Sequence, residues 1–530
     1  MTYMTQLNPA TGELITEIPE TDPAAVHAAM QRARAAFPSW SQTPLAERLR
    51  YLKRVREHLV DGIETIAKDI AKATGKVEIE AVMAEIFPTA DTLHYYEKEA
   101  ANILAPKRVK TPILFFGNHS YVEYKPMGVV GVISPWNYPL YLSIVPVLSA
   151  LIAGNCVLFK PSEVTPLVGA VIEDLFTAAG FPPGVVQVLH GGRETGQAVV
   201  AAKPDKIFFT GSVATGKKIM AAAAEHLIPV ELELGGKDPM IVFADADIDR
   251  AVKGALWGAF TNAGQVCMSV ERLYVEESVY DEFVRKAVAA TKQLRQGIEY
   301  GSMTFPPQLE LVQEHLQDAI DQGATIQCGG RALQEGTLYF EPTVLTGVTP
   351  DMRIMREETF GPVLPIMPFK TEQEAITLAN DSEYGLNASV WSKDLPKAKR
   401  VASQLISGNV CINDVITTVA NPHLPFGGVK HSGMGRYHGP EGLHTFSHPT
   451  SIMVNKGTKP REINWHPYTP ELHQAFNTLT QFLYGKKRSV PFPALKNLIG
   501  QVLGTYRKPK TTATTTPTTQ QNTQNQNLPM

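Results

Sequence analysis

The segment between Gly128 and Glu233 alternates short apolar runs with amphipathic stretches, and no other feature restricts the fold of the chain as strongly. The apolar runs have the length of buried strands, and the stretches between them fit helices. This alternation predicts βαβ crossovers and therefore an α/β fold built on a doubly wound parallel sheet. The predicted strands cover residues 129–134, 156–160, 185–189, 206–210 and 229–234, and the predicted helices cover residues 140–153, 166–179 and 215–225.

The residues directly after the predicted strands are the first candidates for a binding site, because ligands of doubly wound sheets bind beyond the carboxyl ends of the strands. Trp136 and Asn137 follow the first strand and lie between two prolines. Lys160 and Glu163 follow the second strand, and together they are able to hold the hydroxyl groups of a ribose. A surface ion pair is the favoured alternative for these two residues.

A glycine turn follows the fourth predicted strand. Gly211, Ser212 and Gly216 stand at a junction of strand, turn and helix, which presents backbone N–H groups to an anion. The turn differs from the usual dinucleotide fingerprint with three glycines, so an ordinary βα turn is the alternative.

Two glutamates close the last predicted strand. Alternation along a strand places Glu231 and Glu233 on the same face. Carboxylates that lie side by side in a cleft raise each other's proton affinity, and this makes a general base that works near neutral pH. An edge strand with a solvated acidic face is the alternative.

Cys267 is the candidate nucleophile. It lies among small and amide residues, between a helical run and the strand-like residues 272–276. A thiol at such a junction is expected to be half exposed and easily ionised. The alternative is an inert buried cysteine, which is the commoner role of a single cysteine.

Length and composition exclude several classes of protein. A chain of 530 residues exceeds one compact core, so we expect two or three domains. The formal net charge of -3 lacks the basic excess of nucleic-acid-binding proteins. The four cysteines show no paired spacing, which indicates a reducing compartment and excludes a disulfide framework or a cysteine-type zinc site. Without a signal pattern or an apolar run of membrane-spanning length, we expect a cytoplasmic protein.

Taken together, the motifs resemble those of the NAD(P)-dependent aldehyde dehydrogenase superfamily over about residues 7–455. The separations of Glu233 from Cys267 (267 − 233 = 34) and of Asn137 from Lys160 (160 − 137 = 23) are similar to the family's. The resemblance implies a doubly wound cofactor-binding domain, an α/β catalytic domain and a small β arm for oligomerisation. The implied domains are residues 1–107 and 125–235 for the cofactor, 236–442 for catalysis, and 108–124 with 443–456 for the arm.

The resemblance also implies the roles of the site residues. Cys267 attacks the aldehyde, the Asn137 amide and the Cys267 backbone N–H bind the oxyanion, and Glu233 activates the water that hydrolyses a thioester. The implied cofactor-binding residues are Trp136, Lys160, Ser162, Glu163, Gly211, Ser212, Gly216, Leu234, Glu358 and Phe360.

The cofactor and the substrate follow less directly from the sequence. Glu163 beside the adenine ribose favours NAD, although Lys160 next to it leaves NADP open. Met268 with Tyr138 and Tyr141 favours an apolar tunnel and a hydrophobic aldehyde, aromatic or long-chain, and core filling is the equal alternative. The rival functions are a CoA-acylating aldehyde dehydrogenase and a non-catalytic structural relative. The resemblance implies a homodimer or homotetramer.

Three histidines near the end of the catalytic segment are the candidates for a metal site. His444 and His448 are four apart and His438 precedes them, but prolines interrupt the stretch. We expect a solvent-exposed loop there and no metal.

The C-terminal extension comprises residues 457–510, and a tail of 511–530 is expected to be disordered. Two apolar helical stripes lie next to basic residues in the extension, as in helices that lie on a membrane surface. Packing of the stripes on the protein body or on a neighbouring subunit is the favoured alternative, and peripheral membrane contact is the second. The stripes are Leu472, Ala475, Phe476, Leu479, Phe482 and Leu483, and Leu495, Leu498, Ile499, Val502, Leu503 and Tyr506.

Overall fold

A computed structural model describes residues 2–115, 117–458 and 460–486 of the chain. The chain divides into two compact units. The first comprises the residues up to Lys107 together with Val122–Ser451, and the second comprises Arg108–Tyr121 together with the described residues from Ile452 onward. The second predicted stripe of the C-terminal extension and the predicted disordered tail lie outside the described residues.

The described residues form strands and helices along the whole length of the first unit and one further helix after it. The strands are β1 Tyr3–Leu7, β2 Leu14–Pro19, β3 Lys107–Val109, β4 His119–Pro126, β5 Val129–Ile133, β6 Cys156–Lys160, β7 Val186–Val188, β8 Lys206–Thr210, β9 Val230–Glu233, β10 Asp238–Val242, β11 Val270–Glu276, β12 Thr325–Cys328, β13 Thr343–Thr346, β14 Val363–Phe369, β15 Asn387–Trp391, β16 Asn409–Ile412, β17 Gly433–Met434 and β18 Ser447–Val454. The helices are α1 Pro23–Gln42, α2 Leu45–Asp61, α3 Ile63–Thr74, α4 Glu78–Ala81, α5 Phe87–Ile103, α6 Tyr141–Ile152, α7 Pro166–Ala179, α8 Arg193–Ala201, α9 Val213–Ala224, α10 Ile248–Phe260, α11 Glu277–Thr291, α12 Pro306–Asp321, α13 Arg353–Arg356, α14 Glu372–Asn380, α15 Leu395–Ala402, α16 Glu441–His444 and α17 Pro470–Tyr484.

The predicted doubly wound sheet is confirmed. Six strands lie in the order β17-β9-β8-β5-β6-β7, and all but β17 run parallel. Every residue of β5, β6 and β8 is buried, which explains the continuous apolar runs in the sequence. All five predicted strands are present, and their ends differ from the prediction by at most one residue. Helix α8, between β7 and β8, is the one element of this segment that the prediction missed.

A second sheet follows in the chain. Its seven strands lie in the order β12-β13-β14-β11-β10-β15-β16, and only the edge strand β12 is antiparallel to its neighbour. The predicted boundary between residues 235 and 236 falls between β9 and β10, where the chain leaves one sheet and enters the other. The division of the chain into cofactor-binding and catalytic domains stays a prediction.

The N-terminal region begins with an antiparallel hairpin of β1 and β2, whose strands the sequence analysis did not predict. Apolar residues recur at helical spacing over residues 46–70. The helical segment there is divided into α2 and α3 at Gly62, because glycine is a poor helix former.

The segment 108–124, which the resemblance assigns to the oligomerisation arm, begins with a short strand. Strand β3 has only three residues, and a 3₁₀ turn, Ile113–Phe115, follows it. Pro112 lies just before this turn and lacks the N–H group that a longer strand would need. The strands β18, β4 and β3 form the third sheet in that order.

One π-helical turn, Val82–Ile86, joins α4 to α5. Such turns contain one residue more than an α-helical turn and are frequent at functional sites. Glu80 and Glu85 on this segment are both buried, although carboxylates are rarely buried without partners. Among the described residues, no helix has the length and apolar character that crossing a bilayer requires.

Gly264, in the turn before Cys267, packs against the backbone of Gly361 in a neighbouring loop. A substitution at Gly264 tests this packing. Its φ is +72°, and an added Cβ would overlap the carbonyl oxygen of Gly361. We expect Gly264→Ala to lower the free energy of unfolding by about 3 kcal/mol or more, since both backbone strain and overlap contribute.

Gly297→Ala is the matched control, because Gly297 has nearly the same φ, +74°, with nothing within 4 Å of an added Cβ. In the control, the free energy of unfolding should fall by only about 1–2 kcal/mol, which is the cost of a left-handed backbone conformation for alanine. Denaturant unfolding of both variants measures the difference, and equal losses would contradict the close packing at Gly264.

Candidate active site

The carboxyl ends of the parallel strands meet at one edge of the six-stranded sheet. The register pairs Ile133 with Lys160 and Phe209, and Thr210 with Glu233. The segments that follow β5, β6, β8 and β9 therefore start side by side. This arrangement places the predicted residues Asn137, Lys160, Gly211 and Glu233 in loops or strand ends at the same edge.

Cys267 enters the site from the second sheet. It lies in a turn between a 3₁₀ segment, Thr261–Gly264, and the start of β11. An added Cβ at Gly236 would overlap the Cys267 carbonyl oxygen, so the turn after β9 packs directly on the backbone of the cysteine. The predicted base and the predicted nucleophile are thus brought together from the two sheets.

The thiol of Cys267 is partly exposed but not easily ionised. Burial raises its pKa well above the usual value, and the negative charges of Glu358, Asp238 and Glu233 raise it further. The expectation of a readily ionised thiol is therefore wrong for the protein without ligands, because burial and the charges of nearby carboxyl groups both disfavour the thiolate. Asp238 is buried, and burial raises its own pKa as well.

The side chain of Asn137 is buried next to the turn that leads to the cysteine. Its Nδ2 donates to the Gln265 carbonyl at 2.9 Å. The second hydrogen of this amide has no acceptor among the described residues and is free to donate elsewhere. The Asn137 carbonyl accepts hydrogen bonds from Lys76 Nζ at 2.9 Å and from Asn262 Nδ2 at 3.0 Å.

Glu233 is a buried carboxyl with 4% exposure, and neither of its oxygens has a hydrogen-bond partner among the described residues. Burial raises the pKa of Glu233 well above its usual value, the negative charge of Glu231 raises it further, and Arg436 opposes the shift. The solvated acidic face that was the alternative for this strand is absent, since both glutamates are buried. Glu231 differs from Glu233 in that its Oε2 accepts from Lys206 Nζ at 2.9 Å.

Glu358 and Phe360 lie in a loop that packs against the turn after β9. Glu358 accepts a hydrogen bond from the Gly236 N–H at 2.9 Å, and burial together with the charge of Glu271 raises its pKa to about 8. Phe360, with a φ of +51°, contacts the ring of Trp136 edge to face at 5.4 Å. Both rings are only half-buried, so this pair has a face open to a ligand.

The sequence analysis missed the residues that hold this loop. Glu271 accepts hydrogen bonds from the N–H groups of Thr359 and Phe360, both at 2.8 Å. Lys237 Nζ lies 2.5 Å from Glu271 Oε2 and donates to Thr359 Oγ1. Such contacts join residues far apart in the chain, so no local pattern reveals them.

The predicted cofactor-binding residues surround the same sheet edge. Lys160 is almost completely buried, and its Nζ lies 2.5 Å from the half-exposed Glu163, so the two residues form an ion pair that is only partly at the surface. Ser162 is buried and accepts a hydrogen bond from the Val164 N–H within its own turn. Gly211 N–H donates to the Glu233 carbonyl at 3.0 Å.

The glycine turn has the features of an anion site. Ser212 caps α9 through a hydrogen bond from the Thr215 N–H. An added Cβ at Gly216 would lie 2.7 Å from Leu234, so this glycine allows α9 to approach the end of β9. The residues present therefore fit a dinucleotide. The N-terminus of α9 suits a phosphate, Lys160 and Glu163 suit a ribose, and Trp136 with Phe360 offers an aromatic surface.

The histidine region differs from the predicted exposed loop. His438 is fully buried, with its Nε2 at 3.3 Å from the Tyr141 hydroxyl, and burial lowers its pKa to about 3. His444 ends helix α16, is half-buried and stacks on Tyr124 at 4.1 Å. The expectation is therefore wrong for His438 and His444, and His448 is exposed but lies on strand β18. Within the described residues, no group of histidine, cysteine and acidic side chains is arranged to hold a metal.

Comparison with known proteins gives a consistent result. A family model described as the aldehyde dehydrogenase family matches residues 2–452. A 4,4'-diapolycopene aldehyde oxidase from Methylomonas sp is 46% identical over 491 residues, which covers 92% of this chain and 92% of that protein. A putative succinate-semialdehyde dehydrogenase with NADP(+) in its name, from Mycobacterium tuberculosis, is 38% identical over 84% of this chain and 87% of its own length.

Two solved structures are similar over most of the chain. An aldehyde dehydrogenase from Mycobacterium tuberculosis in complex with NAD+ has a TM-score of 0.82 and 34% identity, covering 86% of this chain and 95% of that chain. A betaine aldehyde dehydrogenase from Staphylococcus aureus in complex with NAD+ has a TM-score of 0.83 and 35% identity, covering 88% of this chain and 94% of that chain.

The similarity to the Methylomonas protein extends beyond the family model. A match that covers 92% of 530 residues spans about 488 residues (0.92 × 530), so it continues past Lys456 wherever it begins. The expectation that the resemblance ends near residue 455 holds for the family model but not for this relative, which shares at least part of the C-terminal extension.

The raised pKa of Cys267 predicts its reactivity. We expect alkylation of Cys267 by iodoacetamide to accelerate from about pH 8 to about pH 10 without levelling off, because only the thiolate reacts. Glu358→Gln removes the neighbouring charge that raises this pKa most and should increase the rate at about pH 9 by about 3- to 10-fold.

Glu357→Gln is the control, since Glu357 is exposed and paired with Arg353 at 3.0 Å. Mass spectrometry of the peptide that contains Cys267 measures the rates. An equal gain in the control, or none with Glu358→Gln, would contradict the electrostatic explanation.

Proposed function

The chain belongs to the aldehyde dehydrogenase family, and we propose that it oxidises a hydrophobic aldehyde, aromatic or long-chain, to the carboxylic acid with NAD. The observation that carries this proposal is the convergence of three groups at one place: the Cys267 thiol, the free amide hydrogen of Asn137 and the unpartnered carboxyl of Glu233. A nucleophile, an oxyanion donor and a base are the groups that hydrolytic aldehyde oxidation requires.

In the proposed reaction, Cys267 adds to the aldehyde carbon as a thiolate. The charge then moves to the carbonyl oxygen, where the Asn137 Nδ2 and the Cys267 backbone N–H donate hydrogen bonds. The resulting group on the sulfur is a thiohemiacetal. Bound NAD would supply the acceptor for the hydride that this carbon must lose for the thiohemiacetal to become a thioester on Cys267.

Hydrolysis of the thioester on Cys267 completes the proposed reaction. Glu233 takes a proton from a water molecule, the hydroxide adds to the thioester carbon, and the carbon–sulfur bond breaks to release the acid and the Cys267 thiolate. The unpartnered oxygens of Glu233 support this role, since they are the acceptors available to a water that enters the site. Burial raises the pKa of Glu233, so its carboxylate binds a proton more strongly than an exposed one, as a general base must.

We assign cofactor binding to the residues at the sheet edge. The Lys160–Glu163 pair would hold the adenine ribose, and Glu163 would repel a 2′-phosphate, which favours NAD. The NAD+ complexes of two structural relatives support this choice. NADP is the alternative, because Lys160 lies beside Glu163 and one relative is named for NADP.

Two observations bear on the substrate. The Methylomonas relative is named for a diapolycopene aldehyde, which supports a long-chain hydrophobic substrate here. Met268 and Tyr141 are buried in the core, so of the three residues first assigned to a tunnel only the half-buried Tyr138 is left to contact substrate.

The two rival functions are less well supported. A CoA-acylating enzyme has no need of a hydrolytic base, and Glu233 is buried and close enough to Cys267 for its charge to raise the pKa of the thiol. A non-catalytic relative would have no need of the unpartnered carboxyl, whose burial is unfavourable for stability. We further propose a cytoplasmic homo-oligomer, a dimer or tetramer, whose arm comprises residues 108–124 and 443–456.

Peripheral membrane contact through the C-terminal extension is a separate proposal. The first predicted stripe lies on α17, where Ala475 is buried and Leu472, Phe476 and Leu479 are half-buried. Three aromatic residues of the extension are exposed by more than half: Trp465 by 56%, Tyr468 by 66% and Tyr484 by 84%. Tryptophan and tyrosine are the residues preferred at membrane–water interfaces, and a hydrophobic aldehyde resides in that environment.

A panel of aldehydes tests the proposed activity. We expect NADH formation without CoA, with kcat/KM at least about tenfold higher for long-chain or aromatic aldehydes than for short aliphatic ones, because burial of each methylene contributes. Cys267→Ala should abolish the reaction and retain cofactor binding. A requirement for CoA would favour the acylating rival, and a fully active Cys267→Ala protein would eliminate the covalent mechanism.

The role of Glu233 has a kinetic signature. We expect Glu233→Gln to retain a rapid first turnover of NADH while the steady-state rate falls by about 100-fold or more, because only hydrolysis needs the base. Stopped-flow absorbance separates the two phases. Steady turnover equal to that of the wild type would exclude Glu233 as the base.

Vesicle binding tests the membrane proposal. We expect the full chain to bind vesicles containing anionic lipid and the variant Trp465→Ser/Tyr468→Ser/Tyr484→Ser to bind at least about fivefold less. Leu227→Ser is the control, because Leu227 is 90% exposed and lies outside the extension. Co-sedimentation measures the bound fraction, and no binding by the wild type would rule out the contact.

A further inference from the structure

A completely buried ion pair lies beside Asn137. The side chains of Lys76 and Glu85 have 0% exposure, and Lys76 Nζ lies 2.5 Å from Glu85 Oε1. Lys76 follows α3, and Glu85 lies in the π-helical turn before α5. Removal of two charges from water is unfavourable by several kcal/mol for each ion unless other polar groups replace the hydration.

The groups that replace the hydration belong to the segment 137–141. Lys76 Nζ donates to the Asn137 carbonyl at 2.9 Å and lies 4.2 Å from the centre of the Tyr138 ring. Glu85 Oε2 accepts a hydrogen bond from the Leu140 N–H at 2.8 Å and a longer one from the Tyr141 N–H at 3.4 Å. The pair therefore binds the segment at both of its ends.

The segment needs such support from outside. It follows the end of β5, and Pro139 within it has no N–H group to donate. Helix α6 begins at Tyr141, and its N-cap residue Leu140 provides no side-chain hydrogen bond. The first N–H groups of a helix need an acceptor, and a carboxylate is favourable at this end of the helix dipole. Glu85 supplies the cap that the sequence of α6 lacks.

We propose that Lys76 and Glu85 are positioning residues for the oxyanion donor. The inference rests on the proposed function, in which the Asn137 amide binds the oxyanion. Lys76 fixes the backbone of Asn137, and Glu85 fixes the start of α6 behind it, so the amide keeps the direction that the oxyanion requires. A displacement of about 1 Å at a reacting group lowers rates by up to about 100-fold, so loss of this support is visible in the chemical step.

The test is a double-mutant cycle between the pair and Asn137. Lys76→Met/Glu85→Gln removes both charges at similar volume, and therefore leaves no unpaired buried charge. We expect this variant to lower the first-turnover rate of NADH formation by about 10- to 100-fold, with KM and cofactor Kd within about twofold of the wild type. Asn137→Ala should lower the same rate by about 100-fold or more.

Addition of the pair substitution to Asn137→Ala decides the inference. If the pair acts through Asn137, it lowers the rate of the Asn137→Ala protein by less than about threefold. A purely structural role would multiply the two losses, and an unchanged rate in the pair variant would also overturn the inference. If Asn137→Ala itself is fully active, the oxyanion role in the proposed function fails instead, and the two failures are thereby distinguished.

Arg56→Met/Glu97→Gln is the matched control. This pair also joins two helical segments, with Arg56 Nε 2.6 Å from Glu97 Oε1. Its side chains are 22% and 16% exposed, and neither forms a hydrogen bond with segment 137–141. The control should lose thermal stability without loss of rate. Should Lys76→Met/Glu85→Gln fail to fold, Glu85→Gln alone replaces it in the same cycle, with the same criterion of non-additivity.

Discussion

Three lysine–glutamate ion pairs are buried around the candidate site, and each lies next to a different part of it. An ion pair away from water is stable only when neighbouring polar groups replace the lost hydration. In two of the pairs those groups are backbone N–H and C=O groups of the site loops, so a loop that moved would leave a buried ion pair without these hydrogen bonds. The positions of Asn137 and Phe360 therefore depend on interior electrostatics more than on the loops' own conformational preferences. The pairs are Lys76–Glu85, Lys237–Glu271 and Lys206–Glu231.

The sequence predicts those parts of the molecule that local chemistry determines. Strands β5, β6 and β8 were predictable because both faces of the sheet are covered, which demands continuous apolar residues. The strand ends then located Asn137 and Glu233 at the correct sheet edge. The partner of Asn137, in contrast, is Lys76, 61 residues earlier in the chain (137 − 76 = 61). A contact over this separation leaves no periodicity or spacing in the sequence. The ionisation of Cys267 was mispredicted for the same reason, since it depends on distant carboxyl groups.

Glu231 and Glu233 show how packing separates two residues that the sequence leaves equivalent. They share one face of β9, and both are buried. Glu231 accepts hydrogen bonds from Lys206 and Thr445, so its charge is compensated within the protein. Glu233 has no such partner, and the charge of its neighbour raises its pKa further. Proton transfer needs a free acceptor with raised proton affinity, and only Glu233 meets both conditions.

The burial of Cys267 and Glu233 also sets the order of events in the proposed reaction. Both groups keep their protons to a higher pH than exposed side chains do, because an isolated charge is poorly stabilised at their positions. The thiolate of Cys267 is poorly stabilised at its buried position. Its addition to a carbonyl carbon transfers the negative charge to the carbonyl oxygen, to which the Asn137 amide is proposed to donate. Glu233 gains hydrogen-bond donors for its charge only when water reaches it. Ionisation of each of these two groups is thus coupled to the arrival of its own reactant.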